Sequence, residues 1–192
     1  MDIVDKIREK LFQAIDSNDP YTMDEFNDEY ANVSHTAYVE NIDMFKFPIK
    51  FVNKSNNEDP SYATDGAAGF DLRSNEEFTL KPGNYNVIKT GLYFELPPNL
   101  EMQIRPRSGL AAKYGITVLN SPGTIDSDYR GEIGIILINH GTTNFKIQIG
   151  DRIAQAVIAT CTANSMIKFN KVSELTNDTD RGEGGFGSTG IN

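Results

Sequence analysis

The chain has 192 residues, 39% of them hydrophobic, a formal net charge of −9 and a single cysteine. This length allows one domain, or one domain with an extension, and the composition is typical of a globular protein rather than a disordered one. No apolar run approaches the roughly 18 residues that span a bilayer, and no signal or transit segment is recognisable at the start. With no disulfide framework, these features predict an intracellular protein, cytoplasmic or nuclear.

The negative charge is concentrated near the start of the chain. Residues 1–45 carry eleven acidic and three basic side chains, whereas residues 46–192 carry sixteen acidic and fifteen basic ones. The larger part is therefore almost neutral and has no basic stripe of the kind that follows a nucleic-acid backbone. A nucleic-acid polymer is not expected as a ligand, but a small anion held by a few arginines is compatible with this charge.

Residues 1–45 are predicted to form an acidic helical extension. Apolar residues recur at every fourth position: Ile3, Ile7, Leu11 and Ile15. This spacing favours an amphipathic helix, which the Asp-Pro pair at 19–20 ends. Residues 22–25 (TMDE) have the pattern of a capping box that opens a second helix. Such a helical hairpin could dock a protein partner, and a solubilising appendage is the simpler alternative.

Residues 46–175 are predicted to form an all-β core of sandwich or barrel type, because short β-branched and aromatic runs alternate with turn signals. The runs are 48–52, 85–88, 92–96, 133–138 and 153–158, and the turn signals include 81–84, 97–99, 121–123 and 139–141. Only residues 109–114 (GLAAKY) favour a short helix. Cys161 closes the apolar run 153–161 and is predicted to be a buried thiol.

Residues 176–192 form a polar and then glycine-rich tail, predicted to be mobile until a ligand orders it. Residues 185–190 (GFGSTG) match G-x-G-x-x-G, but only two residues follow, so no helix can complete a dinucleotide fingerprint. Glycine N–H groups, the hydroxyls of Ser188 and Thr189 and the charge of Arg181 suit phosphate oxygens. Phe186 suits stacking on a base. A solvated terminus is the alternative for the tail alone.

Two internal segments carry further polar groups. Residues 105–109 (RPRSG) place Ser108 at the start of the predicted helix, where unpaired N–H groups attract anions. Residues 123–132 (GTIDSDYRGE), which follow Asn120, form a charged hairpin in which one carboxylate could act as general base for water. Taken singly, a capping serine and a solvated turn are the simpler alternatives.

Two more segments are predicted to begin strands. Residues 67–74 (AAGFDLRS) place Asp71 on the polar face of a strand, and residues 150–155 (GDRIAQ) form a turn entering a buried strand. The two histidines, His35 and His140, have neither a partner nor metal-ligand spacing, so no role is assigned to them.

These five segments resemble, in order, the five signature motifs of the trimeric dUTP pyrophosphatase family, over about residues 67–190. Near-complete matches are 106–111 (PRSGLA), 125–131 (IDSDYRG), 150–155 (GDRIAQ) and 181–187 (RGEGGFG). The resemblance implies a jelly-roll-like subunit of a homotrimer, with active sites at subunit interfaces that the C-terminal tail closes. It also implies Mg²⁺-dependent hydrolysis of dUTP to dUMP and pyrophosphate.

Carried over position by position, the resemblance makes Asp126 the group that activates water for in-line attack on the α-phosphorus. Tyr129 is expected to pack on the deoxyribose, leaving no space for a 2′-hydroxyl, and Asp71 is expected near the metal waters. Mg²⁺ is expected to be held by phosphates and water rather than by a protein ligand. The remaining expected substrate contacts are Asn120 and Gly123 at the uracil edge, Phe186 stacked on uracil, and Arg107, Ser108, Gly109, Gln155, Arg181, Gly187, Ser188 and Thr189 around the phosphates.

Two other functions are open to a chain of this kind. A dCTP deaminase has a similar middle motif, but that family places a glutamate ten residues after the aspartate, where Ile136 stands. It also places a histidine before the Pro-Gly pair, where Leu119 stands. The second alternative is a non-catalytic trimer that senses the nucleotide or binds a protein. The intact Asp126 and tail argue against it.

Overall fold

The structure, a computed structural model, describes residues 47–162, 167–176 and 179–184. Within these ranges it has eleven strands and one short helix. Their bounds are β1 Lys50–Asn53, β2 Phe70–Arg73, β3 Phe78–Leu80, β4 Tyr85–Lys89, β5 Leu92–Glu95, β6 Leu100–Arg105, α1 Ser108–Tyr114, β7 Ile116–Val118, β8 Gly123–Ile125, β9 Gly134–Asn139, β10 Phe145–Ile147 and β11 Arg152–Thr160. The predicted all-β fold is confirmed.

The strands pair antiparallel into four sheets. One sheet has four strands in the order β2-β11-β6-β8, one has three in the order β4-β9-β7, and two are the pairs β1-β5 and β10-β3. Within the described residues, no strand pairs with the strand that follows it in the chain. Chain crossovers between sheets therefore build the fold, as in jelly rolls.

The core follows from alternating burial along the strands. In β6 the buried residues are Leu100, Met102 and Ile104, and in β9 Ile135 and Leu137 are completely buried. Successive side chains of a strand point to opposite faces, so each of these two strands contributes one row of buried side chains to the interior. Such rows hold the sheets against each other.

Asn139 is a polar residue within that core. Its Nδ2 donates to the carbonyls of Leu80 and Thr143, at 2.9 Å each, and its Oδ1 accepts from Gly141 N–H at 2.8 Å. Both N–H groups donate and the oxygen accepts one bond, so no polar atom of the buried amide lacks a partner. The amide thereby ties the end of β9 to β3 and to the turn before β10.

Local sequence signals placed most elements within a few residues. The predicted helix 109–114 is α1, which Gly115 ends in the left-handed conformation with φ 67°. The prediction of a buried Cys161 is wrong, because β11 ends at Thr160 and the thiol that follows is exposed.

The predicted helices of residues 1–45 lie outside the described residues. Among the described residues all strands lie between Lys50 and Thr160, inside the predicted core of residues 46–175, whose boundaries stay predictions. No helix in the described part of the chain is long and apolar enough to cross a membrane.

Candidate active site

The central strand β11 brings together three segments that are far apart in the sequence. Its Gln155 lies opposite Asp71 of β2 on one side and opposite Arg105 of β6 on the other. Beyond Arg105 the chain continues through Pro106 to Arg107, which is the N-cap residue of α1. Segments 67–74, 105–109 and 150–155 therefore meet at one end of the four-stranded sheet.

Asp71 lies between two arginines in this cluster. Its Oδ1 is 2.9 Å from Nε of Arg107, and its Oδ2 is 3.1 Å from Nη1 of Arg152. Arg107 also donates through Nη1 to the backbone carbonyl of Arg152, at 2.9 Å. Two guanidinium groups against one carboxylate leave a net positive charge, and planar guanidinium groups suit phosphate oxygens. The cluster of Asp71, Arg107 and Arg152, called here the arginine cluster, is thus suited to an anion.

Gln155 fixes the loop that carries Arg107. Its Nε2 donates to the carbonyl of Pro106 at 2.9 Å. The loop leads directly into α1, where Ser108 and Gly109 are the first two residues and both are exposed. Their N–H groups have no acceptor within the helix, because the first turn of a helix lacks preceding carbonyls. The predicted phosphate-binding groups at 107–109 and 155 are therefore neighbours.

The second group of predicted residues lies after β7, on residues 120–132, which include the predicted hairpin. Strands β8 and β9 do not pair with each other, because β8 pairs with β6 and β9 pairs with β4 and β7, so the prediction of a hairpin is wrong. The segment 120–132 is called here the carboxylate segment.

Gly123 begins β8 and is buried, and a Cβ at that position would lie 3.1 Å from Nδ2 of Asn120. The Asn120 amide and the backbone of Gly123 are thus side by side. Asp126 follows the last residue of β8. The residues predicted for the uracil edge and the predicted general base share one short segment.

Tyr129 lies on the same carboxylate segment. Its hydroxyl donates to the carbonyl of Glu132 at 3.0 Å, and its ring lies directly against Gly131, where any Cβ would overlap it. The side chain of Arg130 donates to the carbonyls of Ser127 and Tyr129 at 2.7 and 2.9 Å. Hydrogen bonds to backbone carbonyls of the carboxylate segment therefore hold the Tyr129 ring, which is 43% exposed.

The structure does not bring Asp126 and the arginine cluster together. Register places Ile125 of β8 opposite Met102 of β6, so Asp126 lies beside Glu101, with which it lines an open cavity. Glu101 and Arg105 are four residues apart on β6, a span of about 13 Å, and the arginine cluster lies beyond Arg105. One phosphate group cannot contact both Asp126 and the arginine cluster of the same chain.

The tail is described only in part. Arg181 is exposed, and its Nε donates to the carbonyl of Gly184 at 2.8 Å. The other predicted tail residues lie outside the described residues: Phe186, Gly187, Ser188 and Thr189. Within the ranges that the structure covers, no group of three or more His, Cys, Asp or Glu side chains could hold a metal ion.

Arg152 is the residue that sequence reasoning missed. In a regular strand Arg152 and Gln155, three residues apart, face opposite sides. The register of β11 shifts between Arg152 and Ala154. The bulge allows Arg152 to contact Asp71 while Gln155 stays opposite Asp71 in the register. The adjacent buried residues Ile153 and Ala154 are the trace of this bulge. Two adjacent apolar residues, Ile153 and Ala154, between the polar Arg152 and Gln155 are the feature of the sequence that indicates this bulge.

Fold and site define an all-β protein with an arginine cluster suited to an anion and a separate segment that carries a carboxylate. The sequence model of the dUTPase family matches residues 55–190. The chain belongs to the dUTPase family.

Its relatives include two deoxyuridine 5′-triphosphate nucleotidohydrolases. The one from Nautilia profundicola is 58% identical over 131 residues, which cover 68% of this chain and 89% of the relative. The one from Alkaliphilus metalliredigens is 53% identical over 148 residues, covering 77% and 99%. The family resemblance predicted from the motifs is thus confirmed.

Solved structures of phage dUTPases are similar in fold. The dUTPase of Staphylococcus bacteriophage 80alpha, determined with dUPNHPP, superposes with a TM-score of 0.68 at 26% identity and covers 75% of this chain and 99% of its own. A mutant dUTPase from phage phi11 of S. aureus, described with a structural Mg(II) ion, has a TM-score of 0.60 at 23% identity, covering 66% of this chain and 97% of its own. The predicted jelly-roll-like fold is confirmed.

Proposed function

We propose that this dUTPase hydrolyses dUTP to dUMP and pyrophosphate by in-line attack of water on the α-phosphorus, with Asp126 as the general base. This reaction limits uracil in DNA and supplies dUMP for dTMP synthesis. The observation that carries the assignment is the carboxylate segment, on which Asp126 lies three residues after Gly123 and six after Asn120. A base held at Gly123 would have its sugar and α-phosphate close to the carboxylate.

Selectivity for uracil is proposed to come from the polar groups of the same carboxylate segment. Asn120 offers an amide and β8 offers backbone donors and acceptors beside the buried Gly123. A wrong base leaves such groups unpaired, which can change the rate by factors of about 10⁴. The Tyr129 ring is proposed to pack on the deoxyribose and to exclude a 2′-hydroxyl by close contact.

The phosphates are proposed to lie at Arg107, Ser108, Gly109 and Gln155. The net positive charge of the arginine cluster supports this placement. Mg²⁺ would be held mainly by phosphate oxygens and water, as suits a hard cation that keeps its water shell, and would neutralise phosphate charge. Both carboxylate oxygens of Asp71 contact arginines, so its expected position near the metal waters means contact through water.

We propose that each site combines segments of different copies in a homotrimer. The separation of Asp126 from the arginine cluster supports this, because one chain cannot offer both to one phosphate group. Phe169 and Leu175, before the tail, are 96% and 87% exposed. Both side chains are therefore accessible to another copy of the chain. The tail, with Arg181, Phe186, Gly187, Ser188 and Thr189, would then close over a site on another copy.

We also propose a cellular location for the protein and a partner for its acidic extension. An intracellular location, cytoplasmic or nuclear, suits a chain with one cysteine, whose thiol is exposed. A protein partner for the acidic extension of residues 1–45 is proposed on the predicted amphipathic pattern.

The test is pyrophosphate release with Mg²⁺ from dUTP, dCTP, dTTP and UTP, before and after Asp126→Asn. Rapid release is expected from dUTP alone. Loss of the general base should slow this release by about 10²–10⁴-fold. Asp128→Asn is the matched control, because it removes a carboxylate from the same carboxylate segment. It should change the rate only a few-fold. A folded protein that binds dUTP but releases no pyrophosphate would instead be a nucleotide sensor.

A further inference from the structure

Arg152 is linked to Arg107 in two ways, by a hydrogen bond and by a shared carboxylate. Its backbone carbonyl accepts a hydrogen bond from Nη1 of Arg107 at 2.9 Å, and its guanidinium shares Asp71 with Nε of Arg107. The Arg107 side chain is 27% exposed, whereas that of Arg152 is 51% exposed. Arg107 is therefore the more enclosed of the two, and Arg152 lies on the solvent side of the shared carboxylate.

The donors of Arg107 are divided between the protein and a ligand. A guanidinium has five N–H groups in one plane. Nη1 donates one hydrogen to the Arg152 carbonyl, and Nε lies 2.9 Å from Oδ1 of Asp71 in an ion pair. Two fixed points in one plane determine the orientation of the whole group, so its remaining amino group, Nη2, has a set direction.

The charge balance gives Arg152 a second part in this arrangement. Asp71 alone with Arg107 would form a neutral pair, which attracts an anion weakly. With Arg152 on the other carboxylate oxygen, at 3.1 Å, the three groups keep one net positive charge. Asp71 can then orient Arg107 without cancelling its charge toward a ligand.

We propose that Arg152 is a positioning residue for phosphate binding: it shares Asp71 with Arg107 and so keeps Arg107 both oriented and cationic. This inference rests on the proposed function for the nature of the anion, the triphosphate of dUTP. No contact between Arg152 and the substrate is required. The role is exerted through Asp71 and through the carbonyl that Arg107 contacts.

The first experiment replaces Arg152 by Gln and by Lys and measures KM and kcat for dUTP, together with calorimetric binding of inorganic pyrophosphate in the presence of Mg²⁺. Arg152→Gln should raise KM and the pyrophosphate Kd about tenfold, the range of a charge-assisted hydrogen bond, and lower kcat by less. Arg152→Lys should recover most of this loss because it keeps the charge. Unchanged pyrophosphate affinity, or a Lys variant no better than Gln, would overturn the proposal.

The matched control is Arg105→Gln. It removes the same charge two residues from Arg107, but Arg105 donates through Nε and Nη2 to the Gln103 side chain on its own strand. Its pyrophosphate Kd should stay within about twofold of the unsubstituted protein, since exposed charges outside a contact contribute little. An equal loss in both variants would mean that general surface charge, not Arg152, sets the affinity.

Asp71→Asn separates orientation from charge. It increases the positive charge of the cluster but removes the group that orients Arg107. Weaker pyrophosphate binding is expected, and tighter binding would contradict the positioning role. Because pyrophosphate binding does not depend on turnover, Arg152-dependent binding without dUTP hydrolysis would leave this inference standing and remove the proposed function instead.

Discussion

Gly131 determines where the ring of Tyr129 can lie. A Cβ at position 131 would overlap the Tyr129 ring, and the backbone there does not have a positive φ. The glycine is therefore needed for space rather than for backbone conformation. If the ring excludes a 2′-hydroxyl, as proposed, Gly131 sets how closely it approaches the sugar.

Gly131→Ala is expected to displace the Tyr129 ring and to lower the preference for dUTP over UTP about tenfold, the range of a single pocket contact. The measurement is kcat/KM for both nucleotides. Tyr129→Phe is the matched control, since it keeps the ring and loses only the 3.0 Å hydrogen bond to the Glu132 carbonyl. Unchanged preference in a folded Gly131→Ala protein would show that the ring does not contact the sugar.

Single residues also show the limit of sequence reasoning. Asp126, Asn120 and Gly123 were found together because they are neighbours in the chain. The contact between Asp71 and Arg152 joins residues 81 positions apart and depends on a bulge. The apolar pair at 153–154 is a local sign of the bulge, but nothing in a single sequence names Asp71 as the partner. Cys161 was misjudged because its apolar neighbours belong to a strand that ends just before it.

The strand pair β1-β5 carries an ion pair on its surface. Lys50 Nζ lies 2.7 Å from Glu95 Oε1, and the two residues are directly opposite in the register. The hydrogen bond from Lys50, and then its charge, lower the pKa of Glu95 below its ordinary value. Both side chains are largely exposed, at 76% and 46%, so solvent screens the pair and its contribution is small.

The Lys50–Glu95 ion pair predicts that the stability contributed by the β1-β5 pair depends on pH. A depressed carboxylate pKa contributes stability above the unfolded value, about 4.3 for Glu, and that stability is lost as pH falls through the folded value. Lys50→Gln should therefore lower Tm slightly at pH 7, and the difference should disappear well below pH of about 4. Thermal unfolding of both proteins across this range is the measurement. A difference that persists unchanged in acid would assign the effect to packing.

At the scale of elements, the sequence predicted types well and partners poorly. The β-branched runs and the helix 109–114 are local patterns, and the structure has them close to the expected bounds. Sheet order is not local: β2 pairs with β11 and β4 with β9. Alternation states which face of a strand is buried but not which strand lies beside it, so only the family resemblance could supply the topology.

The whole molecule is proposed to work only as an assembly, and mixing inactive variants tests this. Arg107→Ala and Asp126→Asn should each be inactive alone. Unfolded together in equal amounts and refolded, they should regain about a quarter of the activity, because random association in a closed ring gives that share of sites two intact contributions.

Each variant refolded alone is the control for this experiment. A mixture as inactive as its parents, yet assembled into mixed trimers, would mean that one chain supplies both residues to each site.

The pairing of β2 with β11 has a consequence for synthesis on the ribosome. At about 5–20 residues per second, the strand that carries Asp71 waits roughly 4–16 seconds for the strand that carries Arg152. The edges of β2 are exposed to chaperones and to other nascent chains during that interval. The arginine cluster needs both strands, so the anion binding proposed for it would begin only when nearly the whole core has been made. Affinity for pyrophosphate would then be a late marker of maturation, absent from a chain that stops before β11.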